Sequence, residues 1–185
     1  GKGHAFEAGI RVPLLMRWYG GVWRTGAARV TLRVTHLDLM PTIAAAAGVV
    51  QDPMLVGGAG QDIGSVLRSA DAAVQTRPLI VEVGFSRTVV HEGFKLMLNL
   101  LPPEAAADPQ CHSIHAIKIP VGRDNETWDN KANRIKFMYD VRERHPVHHC
   151  DRVQLYDTAA DPAEQLNLAS QLPAVVQRMS ATIFR

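Results

Sequence analysis

The spacing of apolar positions in the first quarter of the chain predicts strands followed by a helix. Residues 11–18 (RVPLLMRW) form an apolar run without alternation, which is typical of a strand buried on both faces in a parallel sheet. Residues 30–34 alternate and predict a second strand. Residues 35–47 then predict a helix, because Asp38 can cap its start and Gly48 can end it.

The second half has the pattern of an antiparallel sheet closed by a helix. Residues 79–83, 87–91 and 94–98 read as strands joined by glycine-containing turns, which predicts a meander. Two further strands are predicted at 135–139 and 153–156. A final amphipathic helix is predicted from Pro173, because apolar residues recur there at helical spacing. Its apolar positions are Val175, Val176, Met179 and Ile183.

This order of elements predicts the end of an α/β domain followed by a small α+β subdomain. The smaller part has an antiparallel sheet and a C-terminal helix. Residues 49–78 are rich in Gly, Asp and Ala, with a short helical turn expected at 65–68. We therefore expect two domains, 1–78 and 79–185.

Composition narrows the range of partners. The chain is 46% hydrophobic and 21% charged, with a formal net charge of +2 when histidines are neutral. No run of five Lys or Arg residues occurs, so we expect no nucleic-acid partner. No apolar stretch reaches the roughly 18 to 20 residues that a membrane span requires, so we expect no membrane span.

Five segments, in chain order, resemble sulfatase blocks. GKGHAFEAGIRVP at 1–13 is similar to G-K-G followed by E-G-G-x-R-V-P, and RVPLLMRWYGG resembles its continuation. THLDLMPTIAAAAG at 35–48 resembles the family helix with D-x-x-P-T. RTVVHEGFKLML at 87–98 resembles the R-x-V-R-x-G-x-Y-K strand pair, and LYDTAADPAEQLNLA at 155–169 resembles L-Y-D-L-x-x-D-P-x-E-x-x-N-L. We infer a resemblance to the C-terminal part of an arylsulfatase-like sulfatase.

The resemblance implies the C-terminal portion of the alkaline-phosphatase-like sulfatase fold. Sulfatases attack the sulfate with a formylglycine made from C/S-x-P-x-R, and a divalent cation, usually Ca²⁺, binds the sulfate oxygens. That motif is absent from the chain, and the family's cation ligands lie upstream of the G-K-G block. We therefore expect no catalytic residue and no metal ligand in this chain, with the nucleophile and Ca²⁺ ligands before Gly1.

Lys2 is the one expected substrate-binding residue. It matches the lysine of the G-K-G block, which contacts the substrate sulfate in the family. An ammonium between two glycines can reach a sulfate oxygen and balance its charge. The resemblance implies a sulfate-ester substrate, either a small molecule or a sulfated glycan or glycolipid, and a lysosomal or secreted protein.

Five other polar residues near the motifs suggest catalysis but are better explained by structure. Glu7 and Arg11 are expected to fix the turn before the first strand. His36 and Asp38 could form an acid–base pair, but helix capping and packing account for them. His91 is expected to be an ordinary strand histidine.

The cysteines leave two possibilities open. Cys111, within a segment similar to the arylsulfatase A group (ADPQCH), and Cys150 could join a zinc site with nearby histidines. Those histidines are His112, His115, His145, His148 and His149. The resemblance favours a disulfide, either between Cys111 and Cys150 or between Cys111 and a cysteine before Gly1. Asn125 begins a glycosylation sequon, Asn-Glu-Thr.

Departures from the sulfatase pattern keep two other functions in view. Ala8 replaces the first glycine of E-G-G, a change that would strain a position needing positive φ. The alternatives are a phosphodiesterase or phosphonate hydrolase of the same superfamily and a non-catalytic truncated or pseudoenzyme module. The missing nucleophile motif is the feature that favours the non-catalytic module.

Overall fold

A computed structural model describes residues 5–17, 32–49, 60–68, 77–83, 86–100 and 151–184. The chain divides into two compact units, one combining Gly1–Pro13 with Ile80–Arg185 and the other formed by Leu14–Leu79. The expected domain organisation, 1–78 and 79–185, stays a prediction.

The first unit contains a four-stranded sheet. Its strands are β1 (Leu79–Val83), β2 (Ser86–His91), β3 (Phe94–Asn99) and β4 (Val153–Asp157), in the spatial order β1-β2-β3-β4. The β2–β3 and β3–β4 pairs are antiparallel. The predicted meander is therefore confirmed, with strand limits within a residue of those expected.

The β2–β3 turn is a two-residue hairpin connection. Glu92 has φ 48° and Gly93 has φ 80°, so both central residues adopt the left-handed conformation. Turns of this kind match the right-handed twist of the flanking strands, and glycine adopts the conformation without steric cost. The alternation of apolar residues up to His91 and again from Phe94 predicts this hairpin correctly.

One face of the sheet is apolar and is covered by the C-terminal helix α4 (Pro173–Ile183). The register places Val89, Leu96 and Leu155 side by side across three strands. These side chains are fully buried and cluster with Met179 of α4. The helix begins at Pro173, where a missing N–H costs nothing.

The predicted final helix is thus confirmed. The described residues combine helices with an antiparallel sheet and a closing helix, as the predicted α/β class requires. Whether the parent fold is that of a sulfatase stays a prediction.

The second unit contains a 3₁₀ turn (His36–Asp38), the helix α2 (Leu39–Ala46) and the short helix α3 (Gly64–Arg68). Gly48 follows α2 at φ 75°, a left-handed residue that ends the helix as expected. Gly60 lies so close to the 3₁₀ turn that a Cβ would sit 2.0 Å from the Leu37 carbonyl oxygen. Only glycine fits there without moving the backbone.

Helix α2 presents its larger apolar side chains outward. Thr42 and Ala44 are buried, while Leu37, Met40 and Ile43 are 58%, 56% and 51% exposed. An ordinary surface helix has the reverse arrangement, with its apolar stripe facing the core. We call Leu37, which lies in the 3₁₀ turn, together with Met40 and Ile43 the apolar stripe of α2.

Two predicted strands are not found. Residues 11–17 and 32–34 carry no strand assignment, and Leu15 is 92% exposed. A strand exists only where a neighbour accepts and donates its ladder bonds, and no described segment pairs with either stretch. The prediction for 135–139 and the remainders of these two lie outside the described residues.

The short opening helix α1 (Glu7–Ile10) was not predicted. It contains Ala8, which therefore has ordinary helical geometry and not the positive φ that would strain an alanine. The departure from E-G-G costs no backbone strain here.

We predict that Met179→Ala lowers the free energy of unfolding by about 2 to 5 kcal/mol, because it opens a cavity between α4 and the sheet. The exposed neighbour Gln177 provides the control, since Gln177→Ala should change it by less than about 0.5 kcal/mol. Chemical denaturation of both variants measures the difference. Equal midpoints would mean that α4 does not pack through Met179.

We also predict that the 185-residue chain binds a hydrophobic dye through the apolar stripe of α2. Met40→Ser combined with Ile43→Ser should lower the dye fluorescence, whereas Leu166→Ser, at an isolated exposed leucine, should leave it unchanged. A dye-silent wild-type chain, or equal fluorescence in both variants, would contradict this prediction.

Candidate functional site

The residues expected to bind substrate or to be modified lie outside the described part of the chain. These are Lys2, Cys111, Cys150 and Asn125. The sulfate contact of Lys2, the pairing of the cysteines, the zinc alternative and the glycosylation all stay predictions. The structure does describe residues 5–17, which follow Lys2, and the motif segments that contact them.

Three of those segments meet at a buried charge cluster. The Lys95 ammonium of β3 lies 2.6 Å from Glu164 Oε1 and 3.5 Å from Glu7 Oε1. The other carboxylate oxygen of Glu164 accepts the backbone N–H of Glu7 at 2.6 Å. Each residue comes from a different sulfatase-like segment, and Glu7 and Glu164 are 157 positions apart. We call Glu7, Lys95 and Glu164 the charge cluster.

The charge cluster lies on the face of the sheet opposite α4. Lys95 has no exposed surface, and its register neighbours are Val90 on β2 and Tyr156 on β4. The Phe6 and Tyr156 rings contact at a centroid distance of 6.4 Å, which covers this face with the opening segment. The Tyr156 hydroxyl donates to Gln154 Oε1 at 2.8 Å. This second face therefore carries buried polar groups, and those of Lys95 and Tyr156 are paired.

Burial works against both charges of the central pair. Desolvation lowers the pKa of the Lys95 ammonium, and the neighbouring Glu164 and Glu7 carboxylates oppose that shift. Desolvation likewise raises the pKa of the Glu164 carboxyl, opposed by Lys95 and by the Glu7 N–H. With one ammonium against two carboxylates, each charge depends on its partners to remain ionised.

The loop that delivers Glu164 is fixed by its own polar side chains. Asp157 Oδ1 accepts the N–H groups of Ala159 and Ala160, each at 2.9 Å, and these bonds lower the pKa of its carboxyl. Asp161 Oδ2 accepts the Leu166 N–H at 2.8 Å. The Glu164 backbone is left-handed, with φ 57°, a strained conformation for a residue with a side chain.

Asn167 closes the same loop onto the sheet. Its Oδ1 accepts the Leu155 N–H of β4 at 2.9 Å, and its Nδ2 donates to Asp151 Oδ2 at 2.8 Å. The Leu168 N–H donates to the Leu155 carbonyl at 2.7 Å, which extends the pairing by one rung. The Asp, Asp, Glu and Asn of the sulfatase-like tail motif are all used in structural hydrogen bonds.

Asp38 has a structural role in the second unit. Its carboxylate accepts the N–H of Thr35 at 2.7 Å and of Gln61 at 2.9 Å, and it pairs with Arg77. Asp38 is buried and His36 is exposed, so the two do not form an acid–base pair. Asp38 takes part in capping, but as the third residue of a capping box whose N-cap is Thr35. Its side chain makes no cap hydrogen bond to α2, so the prediction that Asp38 itself caps that helix is wrong.

The other residues considered for catalysis also have structural positions. Glu7 is buried in the charge cluster, which confirms its expected role in fixing the opening turn. The Arg11 N–H donates to the Glu7 carbonyl at 2.8 Å and ends α1. His91 lies at the end of β2, with Nε2 3.6 Å from the exposed Glu92. None of these three side chains is arranged with a nucleophile in the described part of the chain.

The charge cluster is suited to holding chain segments together, not to reacting. Its single ammonium pairs with both carboxylates, and all three residues are buried. Lys95 and Glu164 both lie within sulfatase-like segments, but the sequence alone does not show that their side chains contact each other. The available signal was Lys95 itself, because a lysine at an inward position between apolar strand residues requires a carboxylate partner.

Within the described ranges, no group of three or more His, Cys, Asp or Glu side chains could hold a metal ion. The same ranges contain no helix of the length and hydrophobicity needed to cross a membrane. A comparison with models of protein families finds no match, and a comparison with curated proteins finds none either.

We predict that Lys95→Met lowers the free energy of unfolding by about 3 to 5 kcal/mol at neutral pH, because two buried carboxylates lose their counter-charge. The exposed Arg178–Glu92 pair, at 3.0 Å, is the control, and Arg178→Met should cost less than about 1 kcal/mol. Denaturant unfolding of the two variants measures both values.

The loss in free energy of unfolding caused by Lys95→Met should depend on pH. A carboxyl whose pKa is raised on folding stabilises the fold while protonated, and this contribution is lost as pH rises through the raised pKa. Without the ammonium that opposes this shift, Lys95→Met should approach wild-type stability in mild acid and fall behind toward neutral pH. A penalty that is constant across this range would show that the carboxyl of Glu164 is not desolvated as described.

Proposed function

We propose that this chain is the C-terminal part of a sulfatase that hydrolyses sulfate esters, with its formylglycine and Ca²⁺ site supplied by upstream sequence. The observation that carries the proposal is the charge cluster. Glu7, Lys95 and Glu164 come from three separate sulfatase-like segments and contact one another directly. Segments that resemble one family and meet through their motif residues favour a shared origin over chance similarity.

Lys2 has a specific role in this proposal. Its ammonium donates to a sulfate oxygen of the substrate and balances charge that develops as the ester bond breaks. By the resemblance, the Ca²⁺ ligands of such an enzyme lie upstream of the G-K-G block. The substrate is a small sulfate ester or a sulfated glycan or glycolipid, in a lysosome or outside the cell.

A non-catalytic module is the second candidate. The absence of C/S-x-P-x-R from this chain favours it, because sulfatases use a formylglycine made from that motif as nucleophile. The apolar stripe of α2 is compatible with either candidate, since both leave a surface for another polypeptide to cover. Sequencing the transcript upstream of Gly1 separates them, because only the enzyme requires a formylglycine motif there.

We predict that Lys2→Ala lowers kcat/KM for an aryl sulfate by about 10- to 200-fold in the protein with its upstream sequence, the loss of one charge-assisted contact. Lys2→Arg should recover only part of this, because a planar guanidinium does not fit a point-charge position. Steady-state kinetics beside thermal melts measure the effect, with the 185-residue chain alone as the inactive blank. Full activity in Lys2→Ala, or a loss explained by unfolding, would contradict the role.

A further inference from the structure

The carboxylate of Glu164 joins two elements that the sequence keeps far apart. One oxygen binds the Lys95 ammonium in the middle of the sheet, and the other accepts the N–H of Glu7, the first residue of α1. We propose that Glu164 is a positioning residue that anchors the opening segment to the sheet and thereby sets the place of Lys2. The placing of Lys2 rests on the proposed function, whereas the anchoring of the opening segment does not.

The start of α1 needs an acceptor from elsewhere. The first N–H groups of a helix have no partner within it, and Phe6, which precedes Glu7, provides no side-chain cap. Glu164 supplies the missing acceptor from the other end of the sequence, with the charge that this position favours. The bond is buried, so water cannot replace it if the carboxylate is removed.

Glu164 is itself held in place by contacts within its own loop. Its N–H donates to the Asp161 carbonyl at 3.1 Å, and its left-handed backbone persists inside a loop that Asp157, Asp161 and Asn167 fix. Strained conformations persist where the surroundings determine them. The carboxylate is therefore presented on a rigid support, as a residue that positions another segment must be.

The distance from this anchor to Lys2 is short. Ala5 and Phe6 are buried against Met97 and Tyr156, so both residues belong to the anchored segment. Only two residues separate Ala5 from Lys2, and successive Cα atoms are about 3.8 Å apart, which limits the Ala5–Lys2 Cα distance to about 11 Å. Without the bond from Glu164, the segment that carries Lys2 would no longer be held at Glu7. An ammonium displaced by even an ångström loses much of its effect on a reacting group.

A pair of double variants isolates the Glu7 hydrogen bond from the charges. Lys95→Met with Glu164→Gln is neutral at the pair and keeps an acceptor for the Glu7 N–H. Lys95→Met with Glu164→Leu is equally neutral and has no acceptor. Amide hydrogen exchange of residues 5–10, in the full chain at matched unfolding midpoints, should be about tenfold faster or more in the leucine variant. Equal exchange in the two variants overturns the anchoring.

Should either double variant fail to fold, Glu164→Gln and Glu164→Asp in the otherwise unchanged chain make the same comparison. Glutamine keeps the reach of glutamate without its charge, and aspartate keeps the charge but is one methylene shorter. Faster exchange of residues 5–10 in Glu164→Asp than in Glu164→Gln supports the anchoring bond, and the opposite order overturns it. Glu92→Gln, at an exposed turn, is the control and should match wild type.

Activity tests the placing of Lys2. In the protein with its upstream sequence, the leucine double variant should hydrolyse nitrophenyl sulfate with a kcat/KM at least about tenfold below that of the glutamine variant, at equal thermal midpoints. A loosened opening segment with equal kcat/KM overturns the positioning of Lys2. If wild type hydrolyses no sulfate ester, the proposed function fails, while the exchange comparison still decides whether Glu164 anchors the opening segment.

Discussion

A lysine with no exposed surface must have a carboxylate beside it or lose its charge, and the first unit is arranged around this requirement at Lys95. The nearest partner, Glu164, arrives on a loop after β4, and the second, Glu7, arrives with the opening segment. Both elements must be correctly folded for the ammonium to be neutralised. Breaking any one contact leaves an uncompensated charge, so these distant parts of the chain are stabilised together.

The two faces of the sheet differ in the interactions that stabilise them. Val89, Leu96 and Leu155 pack on α4 within the larger of the two apolar clusters that flank the sheet. The opposite face holds Lys95 and Tyr156 among paired polar groups. Apolar contacts are non-directional, whereas an ammonium between two carboxylates adds specific pairings at defined positions. The polar face is therefore the one that determines which segment covers it and where.

The sequence predicts the sheet unit well and the opening segment poorly, for a physical reason. Strands β1 to β4 and the hairpin at Glu92 and Gly93 depend on short apolar runs and on a turn with two positive φ angles, which are local properties. Helix α2 and its end at Gly48 are equally local. A strand at residues 11–17 depends on a neighbouring strand, and apolar content alone cannot supply one. The same dependence explains why α1, held by a bond from Glu164, has no signal within its own four residues.

The charge cluster could be anticipated residue by residue but not as an assembly. Lys95 signals the need for a counter-charge, yet nothing within the strand selects Glu7 and Glu164 over the other carboxylates of the chain. The selection comes from the tail loop, where Asp157, Asp161 and Asn167 bind backbone groups and turn Glu164 inward. The tail motif is rich in carboxylates, but most of its polar atoms form hydrogen bonds that hold the loop in shape. On this reading the chemistry of the proposed enzyme depends on Lys2 and on upstream residues, while Glu164 contributes by holding the segment that carries Lys2.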